Sequence, residues 1–179
     1  RRVLGIIRPT AEKIGQLTTK RHVGILATEG TIKSNSYNLE ISKLYPDIKV
    51  SGVACPFWVP LVEYNEADSP GADYFVKKRI DQLMDLDPDI DAIILGCTHY
   101  PLLMPKIKKY VPEGVRIVSQ GEYVADSLAD YLARHPEMER RCSKGGTCNY
   151  LTTENTDRFK ESAQMFLHES VDVENIVLG

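Results

Sequence analysis

Short apolar runs recur along this chain, at residues 23–27, 48–54, 90–95 and 115–118, and a stretch of helical patterning separates each run from the next. That alternation constrains the fold more than any other feature of the sequence. A strand, a helix and a second apolar strand close most readily as a parallel βαβ unit, with helices covering both faces of one sheet. The predicted class is therefore α/β, a parallel-sheet sandwich. A further strand is predicted at residues 3–7, and Pro9 with Thr10 opens a helix through Leu17. The stretch Thr28-Glu29-Gly30-Thr31 turns into a helix carrying Ile32, Leu39, Ile41 and Leu44. Residues 74–84, 101–110 and 123–134 read as three more helices. Past a cationic, Gly-rich loop at residues 140–147, predicted strands at 149–152 and 175–178 flank a helix at 157–167.

Net charge removes several classes of function. At −3 over 179 residues, with basic residues scattered, the chain has no electrostatic footprint for nucleic acid. No apolar run reaches the roughly 18 residues that span a bilayer, and no leader pattern opens the sequence. A cytoplasmic protein without a membrane partner is expected. Cys55, Cys97, Cys142 and Cys148 are read as free thiols, because the composition is that of a cored domain and nothing marks export. Cys142 and Cys148, with His135 further back, match no common zinc spacing, so no metal is expected.

The stretch Ile93-Ile94-Leu95-Gly96-Cys97-Thr98-His99-Tyr100-Pro101-Leu102-Leu103 delivers one cysteine from the end of an apolar strand toward the start of a helix. Pro101 suits a first helical position, where its missing N–H costs nothing. Backbone N–H groups at a helix start favour anions, and both a thiolate and a substrate carboxylate are anions. His99 stands where it can serve as proton partner or orienter. A free cysteine after an apolar run is often inert core, but Thr98 and His99 place polar groups at the sheet edge where α/β folds bind ligands. A phosphatase loop is excluded, since Leu103 occupies the position its arginine would need. Gly24 and Gly30 are too far apart for a dinucleotide fingerprint.

Gly96-Cys97-Thr98-His99-Tyr100-Pro101-Leu102 resembles the second cysteine signature of the glutamate racemase family, within the aspartate/glutamate racemase superfamily. Two upstream stretches agree in order and spacing: Gly24-Ile25-Leu26-Ala27-Thr28-Glu29-Gly30-Thr31-Ile32-Lys33-Ser34-Asn35-Ser36-Tyr37 and Ala54-Cys55-Pro56-Phe57-Trp58-Val59-Pro60-Leu61-Val62-Glu63. The resemblance covers nearly the whole chain and weakens after about Arg134. It implies cofactor-independent interconversion of L- and D-glutamate by two cysteines, supplying D-glutamate for peptidoglycan. It makes Cys97 one of the two bases, Thr98 and His99 substrate-binding groups, and Glu63 a helper of catalysis acting through His99. Cys55 lacks the Thr-His continuation and is expected to be a buried thiol. Ser34 and Tyr37 are expected to pack and cap.

The resemblance also implies a division of the chain. Residues 1–119 correspond to the family's second domain, and residues 120–179 to a C-terminal segment that finishes the first. The Asp-Ser-Gly turn and the Asn-Thr turn carrying the other cysteine have no counterpart here. A fragment, predicted inactive alone, is the favoured expectation, against a chain whose missing half another copy contributes, as in a swapped homodimer. Aspartate racemases usually carry Glu where His99 stands and hydantoin racemases lack the Thr-His-Tyr run, so glutamate is the expected substrate. A non-catalytic substrate-domain fragment is the other alternative. Ser119-Gln120-Gly121 departs from the Asp-Pro-Gly-like turn of many relatives.

Overall fold

The computed structural model describes residues 4–178, which divide into a compact unit ending at Tyr131 and another beginning at Leu132. The first unit runs α1 (Ile7–Leu17), β1 (His22–Ala27), α2 (Glu29–Ser34), α3 (Ser36–Leu44), β2 (Lys49–Ala54), α4 (Trp58–Glu63), α5 (Pro70–Met84) and β3 (Ala92–Leu95). A 3₁₀ turn (Tyr100–Leu103), α6 (Met104–Tyr110), β4 (Arg116–Ser119) and most of α7 (Gln120–Arg134) follow. The strands form one parallel sheet in the order β2-β1-β3-β4. Every residue of the two central strands is buried, as expected where helices cover both faces.

On one face α1 and α3 contribute Ala11, Ile14, Tyr37 and Ile41, which pack on Val23, Ile25, Ala27, Ala92, Ile94 and Val118. α5 covers the opposite face through Ala72, Val76, Ile80 and Leu83, with Ser69 capping it by accepting from the Ala72 N–H. Register decides where the loops emerge. Ala27 pairs with Ala54, Leu26 with Leu95, and Leu95 with Ser119. The segments that begin at Thr28, Cys55, Gly96 and Gln120 therefore all leave the sheet at its carboxyl edge, where open α/β sheets hold ligands.

Several expectations are corrected. Residues 4–7 of the predicted first strand form no strand: Ile7 already belongs to α1, while Leu4 and Ile6 are exposed; Val3 lies outside the described residues. An extended segment is stable only beside another strand, and no strand among the described residues pairs with it. The predicted helix after β1 is two helices, broken at Asn35, whose φ of 55° lies in the left-handed region. The helix predicted from Pro101 starts as the 3₁₀ turn: Pro105 lacks the N–H that would donate to the Pro101 carbonyl in an α-helical ladder, and that carbonyl accepts from the Met104 N–H instead.

The second unit holds the end of α7, α8 (Pro136–Glu139), β5 (Tyr150–Thr152), α9 (Thr156–Leu167) and β6 (Val173–Asn175), with β5 and β6 paired in parallel. Asn155 caps α9 by accepting from the N–H groups of Asp157 and Arg158. Among the described residues of this unit, Ala163 on α9 and Val171 after it are the buried apolar ones. Cys142 and Cys148 are exposed free thiols. No helix among the described residues is long and apolar enough to cross a membrane.

Candidate active site

Where β3 ends, the chain turns within a single residue. The Gly96 N–H still donates to the Leu26 carbonyl at 2.8 Å, as if the strand continued. A Cβ on Gly96 would lie 2.9 Å from the Ala27 Cβ and 3.2 Å from the Tyr37 ring, so only glycine allows this close approach. Cys97 follows, half-buried, with Thr98 exposed beside it.

Cys97 and Thr98 line a concavity of about 370 Å³ together with Leu95, Pro101, Gln120 and Val124. That volume is in the range of small-molecule sites. A larger, shallow depression runs along α5 between Tyr74 and Leu86; Lys77 and Asp81 there are already paired with each other, and it offers no comparable chemistry.

A second group reaches the thiol. Cys97 Sγ lies 3.8 Å from His99 Nδ1, and His99 Nε2 lies 2.5 Å from Glu63 Oε1. An ionised carboxylate only accepts, so Nε2 carries the proton that it donates to Glu63. In the neutral ring Nδ1 then presents its lone pair to the thiol; in the imidazolium it presents an N–H to a thiolate. Either state suits a sulfur that exchanges a proton. His99 and Glu63 do not line the concavity.

Packing fixes this relay. α4, which ends at Glu63, buries Trp58 and Val62. Trp58 meets Tyr100 edge-on with ring centroids 4.7 Å apart and donates through its indole N–H to the Phe75 carbonyl. The Tyr100 hydroxyl donates to the Cys55 carbonyl at 3.3 Å. The residue after His99 is thus nailed to the start of the helix that carries Glu63. The neighbouring cysteine is inert by the same packing: Cys55 is fully buried, and desolvation pushes its thiol up to about 12.

The structure brings Cys97, His99 and Glu63 together in one hydrogen-bonded relay, with Thr98 beside the thiol. Ser34 bonds locally, to the Thr31 carbonyl. Tyr37 is more than packing. Its hydroxyl donates to Gln120 Oε1 at 2.7 Å beneath the Gly96 turn, and burial pushes it up to about 12, partly opposed by that hydrogen bond. Gln120 was legible in sequence only as a departure from a turn motif; nothing local announces its contacts.

The Asp/Glu/Hydantoin racemase family profile matches residues 3–128. A glutamate racemase of Shouchella clausii is 36% identical over 170 residues, spanning 95% of this chain and 60% of the relative. The crystal structure of a glutamate racemase from Bacillus anthracis superposes with a TM-score of 0.86 at 32% identity, covering 98% of this chain and 65% of that one. One from Francisella tularensis, in complex with D-glutamate, gives 0.79 at 25% identity, covering 97% and 62%. The chain therefore spans about 60–65% of the length of these relatives.

Proposed function

The chain belongs to the Asp/Glu/hydantoin racemase family, and from that premise we propose that it supplies one thiol-bearing lobe of a glutamate racemase that interconverts L- and D-glutamate. The observation that carries the proposal is the Cys97–His99–Glu63 relay, whose thiol alone lines a small-molecule-sized concavity while His99 and Glu63 back it from outside. Relatives named glutamate racemase, one of them holding D-glutamate, support the choice of substrate.

Racemisation removes a weakly acidic proton from one face of Cα and returns one to the other, so two groups on opposite faces are required. The Cys97 thiolate takes the Cα proton; the S–H bond forms while the electron pair of the broken C–H bond remains on the substrate. A group on the opposite face then donates its own proton to that carbon. His99, oriented by Glu63, receives the thiol proton between turnovers and returns it in the reverse direction. Thr98 and the surrounding backbone hold the substrate, and hydrogen-bond donors aimed at its carboxylate stabilise the carbanion. No cofactor enters this scheme.

Cys55 is sealed from the concavity, so the proposal assigns the opposite-face group to sequence beyond this chain. Residues 120–179 are assigned to the lobe that this sequence completes. α7 buries no residue fully and leaves Leu128 exposed, a face such a lobe would cover, although α7 up to Tyr131 belongs to the first compact unit. A cytoplasmic location follows from a product destined for cell-wall precursors.

The test is a circular-dichroism assay of L-glutamate. The isolated 179-residue chain is expected to show no measurable racemisation. The longer protein containing it should racemise, and Cys97→Ser in that protein should abolish turnover. Turnover unchanged by Cys97→Ser rejects the assignment.

A further inference from the structure

Gln120 opens α7, yet its side chain turns back into the sheet edge. Its Oε1 accepts from the Tyr37 hydroxyl at 2.7 Å and from the Thr10 hydroxyl at 3.4 Å, while its Nε2 donates to the Leu95 carbonyl at 3.0 Å. One amide thus joins α1, α3, the end of β3 and the start of α7. Leu95 is two residues before Cys97, and Gly96 between them rests on the Tyr37 ring. Gln120 also lines the concavity into which Cys97 opens. Tyr37 lies close enough for a Cys97 thiolate to disfavour its ionisation.

We infer that Gln120 is a positioning residue for the Cys97 thiol: its amide holds the Leu95 carbonyl and the Tyr37 hydroxyl at once, and so fixes the height at which the Gly96-Cys97 turn leaves the sheet. The inference rests on Cys97 being the working thiol. The physical reason for an amide is its two-sidedness. The Leu95 carbonyl needs a donor and the Tyr37 hydroxyl an acceptor, and a glutamine side chain offers both from one rigid plane. A carboxylate satisfies only the tyrosine, and an aliphatic side chain neither. Left without that clamp, the turn loses the geometry that keeps Sγ near His99 Nδ1 and facing the concavity.

The cysteines of the chain provide their own controls. Each thiol is labelled with 2,2′-dipyridyl disulfide, which reacts at neutral and acidic pH, and its rate is read by peptide mass spectrometry. Exposed Cys142 is the reference, and buried Cys55 reports fold integrity. Gln120→Leu should slow Cys97 relative to Cys142 about tenfold, since it removes all three hydrogen bonds of the amide, and Tyr37→Phe about fivefold, since it removes one of them. Cys55 should stay protected. In Gln120→Glu the deficit should be present at neutral pH and recover below about pH 4, where a protonated carboxyl can again donate to Leu95.

A Cys97 rate that is unchanged or faster in Gln120→Leu overturns the inference, as does a Gln120→Glu deficit that does not lessen in acid. If Gln120→Leu exposes Cys55, that variant has loosened throughout and Tyr37→Phe decides: an unchanged Cys97 rate there overturns it. The readout is independent of racemisation. Should Cys97→Ser retain turnover while Gln120→Leu slows labelling, the functional reading falls and the positioning role stands; the opposite pattern removes only the positioning role.

Discussion

His99 and Glu63, 36 residues apart in the chain, meet at 2.5 Å through Nε2 and Oε1. Because the carboxylate can only accept, this contact fixes which ring nitrogen faces Cys97 Sγ. The relay is held by groups that take no part in chemistry, above all the Trp58–Tyr100 ring pair beneath it.

Replacing Glu63 with Gln keeps the shape but lets the side-chain amide present either a donor or an acceptor to Nε2, so the ring loses its fixed orientation. Turnover of the longer protein should fall by about ten- to a hundredfold, within the usual contribution of a positioned proton-transfer group. The fall should appear in kcat with KM little changed. Steady-state kinetics in both directions check this; an unaltered kcat removes Glu63 from the relay.

Cys97→Ser should separate the two half-reactions. Serine at that position is too weak a base to remove the Cα proton, while the group on the opposite face is untouched. In deuterium oxide, exchange at Cα is expected to persist from one enantiomer of glutamate and vanish from the other, as read by proton NMR. Equal loss from both enantiomers speaks against two separate bases.

Gly96→Ala adds a methyl 2.9 Å from Ala27 Cβ, a packed neighbour with no flexible end to yield. The cost should be about 1 to 3 kcal/mol, the usual range for overpacking. A thermal melt should register it, and Cys97 labelling should change with it as the turn is displaced. A variant that melts with the parent shows that the turn has room.

Asp91 joins the start of β3 to the loop after α1. It accepts from the Thr18 hydroxyl, the Thr19 N–H and hydroxyl, and the Lys20 N–H. Burial alone would raise its carboxyl, but these hydrogen bonds outweigh burial and bring it down to about 2. A depressed native value stabilises the fold above the unfolded value near 4, and that contribution is lost as pH falls toward 2. It is worth roughly 1 to 2 kcal/mol once solvent screening is allowed for. Asp91→Asn should therefore melt below the parent at neutral pH, and the gap should close between about pH 4 and about pH 2. A gap independent of pH rules out this linkage.

Local pattern and global arrangement divide cleanly at particular residues. The four strands of the main sheet, the helix predicted at residues 74–84 within the observed Pro70–Met84, and the exposed loop around Gly145 are legible because each is written in neighbouring residues: apolar runs, helical spacing, glycine. The same signal misled at residues 4–7, where an apolar run is a strand only if another strand lies beside it. It missed the break at Asn35, since a left-handed residue inside a helical pattern has no strong local mark.

Neighbouring residues suffice to specify the α/β alternation, the cysteine at position 97 after the apolar run ending at Leu95, and the Thr98-His99 pair that follows it. The folded arrangement adds the contacts themselves: Glu63 Oε1 at 2.5 Å from His99 Nε2, the Tyr100 hydroxyl on the Cys55 carbonyl, and Gln120 reaching Leu95 and Tyr37 across 25 and 83 residues. The reason is physical. Backbone periodicity is set by neighbours a few residues apart, whereas a hydrogen bond between distant residues exists only once strand register has fixed both ends, and no short stretch of chain records that register.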